Sequence, residues 1–310
     1  MHLQTVKSES LSQACEIFFH IPKTGGQSLH NLISREYRNR SILNTHCGLL
    51  TPSVWQNFTR PLESYPRLLR PRYDVVIGHM KFGLHELLGG PSRYITFLRD
   101  PVKRFVSYFL MLQRMGIVPM NLKLDPSRPD WNLRHHESIP RELDNGQTRA
   151  LANADWDLPF GLCNEEHLKA AKANLDHYFE FVGLTEHFDL SLMLLKRITG
   201  WRWHFYARKN VSPNVRSNRP SPDILEEISR LNSFDRQLYF YAKERLMGTA
   251  GRYGRSLRLE RAAFAFCNDV HRGKHFIVQS LKKKLKRPDK PQPKLVQPPL
   301  ALQNSVVETL

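Results

Sequence analysis

Residues 18–33 read FFHIPKTGGQSLHNLI, and this stretch contains the pattern that decides the fold. The apolar run at 17–21 predicts a buried strand, and residues from about 28 to 37 predict an amphipathic helix. The turn between them holds Gly25 and Gly26, which allow the backbone to approach a ligand closely. The helix then begins with unpaired N–H groups and the positive end of its dipole. We therefore predict an anion-binding turn at the first strand–helix junction.

The side chains of this turn suit an anion as well. Lys23 supplies a cation, and Thr24 and Ser28 supply hydroxyl groups. The residue order differs from the Walker A loop, G-x-x-x-x-G-K-[ST], in which the lysine follows the second glycine. Here Lys23 precedes both glycines. An ordinary strand–helix turn with a surface lysine stays open on this segment alone, because Gly-Gly turns are common.

The rest of the chain alternates short apolar runs with amphipathic stretches. Further strands are predicted at 41–45, 73–77, 94–98 and 178–184. Helices are predicted after residue 100 and at 146–154, 165–177, 187–198, from 221 with Ser221 as its cap, and at 233–247. This order predicts an α/β fold with a central parallel sheet flanked by helices and with ligands at the carboxyl edge of the strands.

Two of these strands deliver polar residues to that edge. Arg99 follows the strand at 94–98, and Ser107 lies about two helical turns further on, so the two could hold one phosphate group. His79 follows the preceding strand, and an imidazole, which titrates near neutral pH, can take a proton from a hydroxyl group. On these residues alone, a surface Arg99–Asp100 pair and a structural histidine are the alternatives.

Charge is the unusual property of the composition. The 310 residues include 46 Lys and Arg against 29 Asp and Glu, a formal net charge of +17. Such a surface attracts polyanions: nucleic acid, anionic lipid, sulfated or uronic-acid glycan, or a phosphorylated cofactor. Nine basic residues and one acid lie between 272 and 294, and five prolines lie between 288 and 299. We predict one domain over residues 1–271 and a basic, Pro-rich, disordered tail over 272–310.

The apolar fraction of 41% excludes a chain that is disordered throughout. The four cysteines, Cys15, Cys47, Cys163 and Cys267, lie far apart and form no CxxC pair, which argues against a zinc site and a disulfide framework. No apolar run of signal-peptide or membrane-anchor length precedes the first strand. We therefore expect free thiols, no metal and a cytoplasmic protein, although a truncated luminal enzyme would show the same features.

The segments HIPKTGGQS at 20–28 and FLRDPVKRFVSYF at 97–109 together resemble the two phosphate-binding motifs of the sulfotransferases. The similarity is greatest to the carbohydrate branch that includes the heparan sulfate 2-O- and 6-O-sulfotransferases. Further similar segments follow in the family's order over roughly residues 16–250: GHMKF at 78–82, NGQTRAL at 145–151, the stretch at 168–195 and RKNVSPNVRSNRP at 208–220. Gln27 departs from the family, in which Thr is frequent at that position.

The resemblance implies a sulfotransferase that uses 3′-phosphoadenosine-5′-phosphosulfate as donor and needs no metal. It implies that Arg99 and Ser107 hold the 3′-phosphate and that Arg216 contacts the donor from a covering loop. It implies that His79 is the general base and that Lys23 stabilises the transition state. The 5′ end of the donor would lie against Lys23, Thr24, Gly25, Gly26, Gln27 and Ser28.

The implied acceptor is a carbohydrate or another hydroxyl compound, and the basic surface favours an anionic one. We expect neither a nucleic-acid partner nor a transmembrane segment, and contact between the basic tail and a membrane surface stays open. Two other functions stay open at this point. A kinase-like enzyme would transfer phosphate, although the Walker order is absent. A non-catalytic polyanion-binding protein would give no reason for His79 beside the Gly-Gly turn.

Overall fold

The computed structural model describes residues 14–44, 73–80, 82–88, 90–118, 142–154, 158–202, 206 and 220–285. The strands of this part are β1 Cys15–Phe19, β2 Ile42–Asn44, β3 Val75–Gly78, β4 Ser92–Leu98 and β5 Phe179–Leu184. They form one sheet in the order β2-β3-β1-β4-β5, and every pairing between them is parallel. The predicted α/β fold with a central parallel sheet is confirmed.

Helices flank this sheet. They are α1 Gly26–Glu36, α2 Pro101–Arg114, α3 Gly146–Ala152, α4 Glu165–His177, α5 Phe188–Thr199, α6 Pro222–Leu231 and α7 Ser233–Leu285. Two short 3₁₀ turns stand at Leu84–Leu87 and Thr185–His187. The predicted elements of the described part are therefore present, and apart from the last helix, α7, their ends differ by a few residues.

The central strand β1 is buried along its whole length. On one face the Phe18 ring packs at 5.4 Å from Trp201, and on the other the Phe19 ring packs at 6.0 Å from Phe179. A strand covered on both faces needs an unbroken run of buried side chains, which explains why this segment does not alternate. Its one acid, Glu16, is buried in an ion pair with Arg93.

The strand order places the turn after β1 at the middle of the sheet. From β1 the chain builds β2 and β3 on one side and then β4 and β5 on the other. A crevice opens at the carboxyl edge where the order changes direction in this way, and ligands of open α/β sheets bind there. The residues that follow β1, β3, β4 and β5 all meet at this edge.

Helices α2 and α6 begin with the same local arrangement. At α2 the Asp100 carboxylate accepts a hydrogen bond from the Lys103 N–H at 3.0 Å, and a proline opens the first turn. At α6 the Ser221 hydroxyl accepts from the Ile224 N–H at 3.5 Å, and Pro222 opens the turn. Proline is suited to this position because its missing N–H would have no partner there. The predicted Ser221 cap is confirmed.

Helix α7 runs well past the predicted end at residue 247. Its helical geometry is broken at Gly254, where φ is 51° and ψ is −128°, so α7 consists of two helices joined at a kink, and the second runs to Leu285. The helix therefore crosses the predicted boundary between residues 271 and 272. The division into a domain and a tail stays a prediction, and residues 286–310 lie outside the described part.

The N-termini of α3 and α7 cap each other. The Asn145 side-chain oxygen accepts hydrogen bonds from the Phe234 and Asp235 N–H groups, both at 3.0 Å. In return the Asp235 carboxylate accepts four hydrogen bonds at 2.7–3.3 Å from the N–H groups and side chains of Gln147 and Thr148. Asp235 is fully buried, so these bonds and the N-terminal dipole of α3 together stabilise its charge.

Replacing Asp235 with Asn should therefore lower the free energy of unfolding by about 3 kcal/mol. The amide keeps the shape of the carboxylate but loses its charge and one acceptor, which leaves buried donors of α3 without partners. Urea denaturation measures the change. Asp223→Asn, in the exposed first turn of α6, is the matched control and should leave the midpoint nearly unchanged. Equal midpoints for the two variants would contradict the capping role of Asp235.

Candidate active site

The turn after β1 is held in an unusual backbone conformation. Lys23 has φ of 70° and Gly25 has φ of 90°, both in the left-handed region. Thr24 is buried, and its hydroxyl donates to the Ile21 carbonyl at 2.8 Å. The Thr185 hydroxyl, which follows β5, lies 2.9 Å from the Thr24 carbonyl. The turn is thus fixed from within and from a neighbouring strand end.

The packing at the start of α1 requires a glycine at position 26 and leaves little space for a side chain at position 25. A Cβ on Gly26 would lie 1.8 Å from Nε2 of His20, and a Cβ on Gly25 would lie 3.3 Å from the Phe188 ring. Gly25 is the N-cap of α1 and carries no side chain that could bond to the first N–H groups. These donors and the helix dipole therefore face the sheet edge, where they suit an anion. Gln27 is exposed and Ser28 is half-buried at this helix start.

Lys23 lies in a strongly positive environment. Burial, and then the guanidinium groups of Arg114, Arg99 and Arg104, lower the pKa of Lys23 to about 8. All three neighbouring charges have the sign of the lysine itself. An anion bound at this turn would relieve the repulsion and raise the pKa again.

The structure joins the second predicted phosphate motif to this turn. Arg99 follows β4 directly, and its Nη1 donates to the Lys23 carbonyl at 3.0 Å. Its Nε lies 3.8 Å from the Glu186 carboxylate. Burial lowers the pKa of Arg99, and Glu186 opposes that shift. Ser107 lies half-buried on α2, the helix that begins two residues after Arg99.

His79 lies next to the same turn. It follows β3, and its Nδ1 is 2.7 Å from the His20 carbonyl oxygen. A carbonyl oxygen only accepts, so Nδ1 carries the proton and the neutral ring keeps its lone pair on Nε2. The His79 ring stacks on the His20 ring with centroids 4.4 Å apart, and the His20 ring covers Gly26. The predicted base and the predicted anion turn are therefore adjacent.

His85, the next histidine along the chain after His79, lies elsewhere. Its ring packs at 4.6 Å from Tyr178, and its Nδ1 is 3.1 Å from the Tyr94 hydroxyl. Tyr94 is four residues before the carboxyl end of β4, which places His85 toward the opposite edge of the sheet. Burial lowers the pKa of His85. Its surroundings are those of a packed side chain.

Sequence reasoning missed Arg104 and assigned no role to Gln147. Arg104 is buried, donates to the Pro22 carbonyl at 3.1 Å through Nε, and forms an ion pair with Glu142. It lies on the apolar face of α2 beside Phe105, and a charge on an apolar face is the signal that could have revealed it. Gln147 is buried against the backbone of Arg99.

Arg216, which was predicted to contact the donor, lies outside the described residues. Among the residues that the structure describes, no group of three or more His, Cys, Asp or Glu side chains could hold a metal ion. Cys15, Cys163 and Cys267 are free thiols, and burial raises the pKa of Cys15 and Cys163 to about 12.

Several known proteins are similar to this chain. Galactose-3-O-sulfotransferase 3 of Mus musculus is 25% identical over 257 residues, which cover 77% of this chain and 58% of the relative. Heparan-sulfate 6-O-sulfotransferase 2 of Homo sapiens is 29% identical over 181 residues, which cover 50% of this chain and 30% of the relative. A solved sulfotransferase from Alicyclobacillus acidocaldarius has a TM-score of 0.45 at 15% identity, covering 74% of this chain and 95% of that one. The matched region is thus about half the length, or less, of these two curated relatives.

The relatives correct the predicted location. They are Golgi carbohydrate sulfotransferases, so the prediction of a cytoplasmic protein is wrong. Within the described ranges, no helix combines the length and the apolar character that crossing a bilayer requires.

The family itself is identified by a match along most of the chain. The sequence pattern of the galactose-3-O-sulfotransferase family matches residues 7–285, which include the turn after β1, His79 and Arg99. The predicted resemblance to carbohydrate sulfotransferases is confirmed, with galactose-3-O-sulfotransferases and heparan-sulfate 6-O-sulfotransferases among the relatives. The chain belongs to the galactose-3-O-sulfotransferase family.

Proposed function

We propose that this protein transfers a sulfo group from 3′-phosphoadenosine-5′-phosphosulfate to a hydroxyl group of a carbohydrate. The observation that carries the proposal is the meeting of three groups at one sheet edge. His79 lies one stacked ring away from the start of α1, and Arg99 is bonded to the Lys23 carbonyl of the same turn. A base beside a cationic turn is what transfer between a hydroxyl and a phosphate-linked donor needs.

The residues of the turn fit the donor. The uncapped N–H groups of α1 and the Lys23 ammonium would hold the 5′-phosphosulfate, because both favour negative charge. The two glycines keep side chains out of the space next to this helix start. Arg99 and Ser107 would hold the 3′-phosphate, and Thr24, Gln27 and Arg216 stay in the proposed donor set. Thr24 contributes through the backbone, since its hydroxyl is bonded to Ile21.

In the proposed reaction, different residues of this chain accept the proton and stabilise the departing phosphate. His79 accepts the acceptor's hydroxyl proton at Nε2, while its Nδ1–H stays bonded to the His20 carbonyl. The acceptor oxygen forms a bond to sulfur as the bond between sulfur and the 5′-phosphate oxygen breaks. Lys23 and the first N–H groups of α1 stabilise the negative charge that collects on the departing phosphate. The products are the sulfated hydroxyl, 3′-phosphoadenosine-5′-phosphate and a proton on His79.

The acceptor class follows from the relatives and the charge. The relatives' names contain galactose and heparan sulfate, and the excess of basic residues over the whole chain favours an anionic glycan. The test is incubation with the donor and with separate galactose-terminated, heparan-type and small-alcohol acceptors, followed by mass spectrometry. We expect one added sulfo group on a glycan. Absence of transfer to any carbohydrate, with transfer to small alcohols, would contradict the proposed acceptor class.

Affinity for 3′-phosphoadenosine-5′-phosphate should fall as the pH rises above about 8. The pKa of Lys23 is lowered to about 8, so the free protein loses this ammonium in that range, whereas bound phosphate favours it. Binding then takes up a proton, and affinity drops by up to about tenfold per pH unit until the pKa of the complex is reached. Calorimetry across this range measures the effect. Lys23→Arg, which stays charged, should show a much flatter dependence, and a flat profile for the unmodified protein would contradict the role of Lys23.

A further inference from the structure

Gln147 holds the backbone of Arg99 at the point where the chain leaves the sheet. The Arg99 N–H donates to Oε1 of Gln147 at 2.9 Å, and Nε2 of Gln147 donates to the Arg99 carbonyl at 2.9 Å. One side chain thus supplies the two backbone bonds that a neighbouring strand would otherwise make. Gln147 is completely buried, so water does not compete for either bond.

The Gln147 amide is itself fixed from behind. Its Nε2 lies 3.3 Å from Oδ2 of Asp235, and the same oxygen accepts the Gln147 main-chain N–H at 3.1 Å. An ionised carboxylate only accepts hydrogen bonds, so the amide must turn its nitrogen toward Asp235. Its oxygen then faces the Arg99 N–H, as observed. Asp235 therefore selects the amide orientation that pairs with both backbone groups of Arg99.

The other end of Arg99 reaches the Lys23 turn. Its Nη1 donates to the Lys23 carbonyl at 3.0 Å, and Lys23 has the left-handed φ of 70°. The Glu186 carboxylate lies 3.8 Å from the Arg99 Nε and accepts the Asp100 N–H at 3.1 Å. A displacement of the Arg99 backbone would thus move the guanidinium away from the turn that it contacts.

We propose that Gln147 is a positioning residue that sets the preference for a ligand with a 3′-phosphate, because it fixes Arg99 between the sheet and the Lys23 turn. This inference rests on the proposed function, in which Arg99 holds that phosphate. Gln147 acts through the Arg99 backbone and needs no contact with the ligand. An apolar side chain in its place would leave the Arg99 N–H and carbonyl without this partner and free the residue to shift.

The experiment compares Gln147→Met with Thr148→Val. Both side chains bond to the Asp235 carboxylate, but the bonds to the Arg99 backbone come from Gln147. Calorimetry gives the affinities of each variant and of the unmodified protein for 3′-phosphoadenosine-5′-phosphate and for AMP. We expect Gln147→Met to reduce the ratio of these affinities by about tenfold or more, with AMP affinity nearly unchanged. Thr148→Val should keep the ratio even where its unfolding temperature falls by a similar amount.

The outcomes distinguish a failure of this inference about Gln147 from a failure of the proposed function. If the unmodified protein prefers the 3′-phosphate and Gln147→Met keeps that preference, Gln147 is merely structural and this inference is overturned alone. If the unmodified protein shows no preference, the proposed function fails and the inference fails with it. Should Gln147→Met not fold, Gln147→Asn keeps an uncharged amide beside Asp235, but its side chain is one methylene shorter and cannot reach both backbone groups of Arg99. We expect it to lose part of the preference, and full retention would overturn the proposal.

Discussion

Replacing His79 with Ala should lower the rate of sulfo transfer roughly a hundredfold or more and leave donor affinity nearly unchanged. The His20 carbonyl holds Nδ1–H at 2.7 Å, so the lone pair of the neutral ring stays on Nε2, where the acceptor proton would arrive. The proposed contacts to the donor come from the turn after β1 and from Arg99, which the variant leaves in place. The loss should therefore appear in kcat at saturating donor. Calorimetry with 3′-phosphoadenosine-5′-phosphate provides the affinity.

His85→Ala is the matched control for this variant. It removes a histidine that bonds to Tyr94 and packs against Tyr178, away from the turn after β1. Its turnover should stay within a few-fold of that of the unmodified protein, provided that the two proteins have the same thermal stability. Normal turnover in His79→Ala would show that another group takes the proton, and the assignment of the base would be wrong.

Replacing Gly26 with Ala should remove both donor binding and turnover, the second by about a hundredfold or more. The added Cβ would lie 1.8 Å from Nε2 of His20, so either the start of α1 or the His20 ring must move. Moving the helix start displaces the proposed phosphate donors. Moving the ring removes the surface on which His79 stacks at 4.4 Å. Steady-state kinetics and calorimetry together would record the two losses.

Gly248→Ala is the control for the same chemical change. Gly248 lies in α7, and a Cβ there would meet nothing within 4 Å. Alanine is favoured over glycine inside a helix, so this variant should be as active as the unmodified protein and equally or slightly more stable. Full activity in Gly26→Ala would contradict the close packing on which the site description depends.

Much of the fold could be predicted from local pattern. The apolar run before the Gly-Gly turn, the strand before Arg99 and the helix over Glu165–His177 each follow from hydrophobic period and from Gly and Pro positions. Parallel strands bring their carboxyl ends to one edge, so the convergence of Lys23, Arg99 and His79 was predictable as well.

The contacts that hold these residues in place were not predictable in the same way. The Gln147 side chain bonds to Arg99 across 48 residues, and the Thr185 hydroxyl bonds to the Thr24 carbonyl across 161. No local pattern encodes such pairs, because a glutamine or a threonine is equally compatible with a solvated helix or turn. The second helix of α7 was missed because the non-helical Gly254 interrupts the pattern and a new helix begins after it. The predicted location was wrong because it was inferred from the lack of an apolar run before the first strand, and such an absence does not determine where a protein acts.

We propose that the turn after β1 and Arg99 together form one site for a nucleotide with a 3′-phosphate. Calorimetric titration of the unmodified protein with 3′-phosphoadenosine-5′-phosphate and with AMP tests it most directly, with Arg99→Ala as the paired variant. A charged hydrogen bond is worth roughly 1.5–3 kcal/mol, so the 3′-phosphate should tighten binding by about tenfold to more than a hundredfold. Arg99→Ala should lose most of that difference. Equal affinity of the unmodified protein for the two nucleotides would contradict the account.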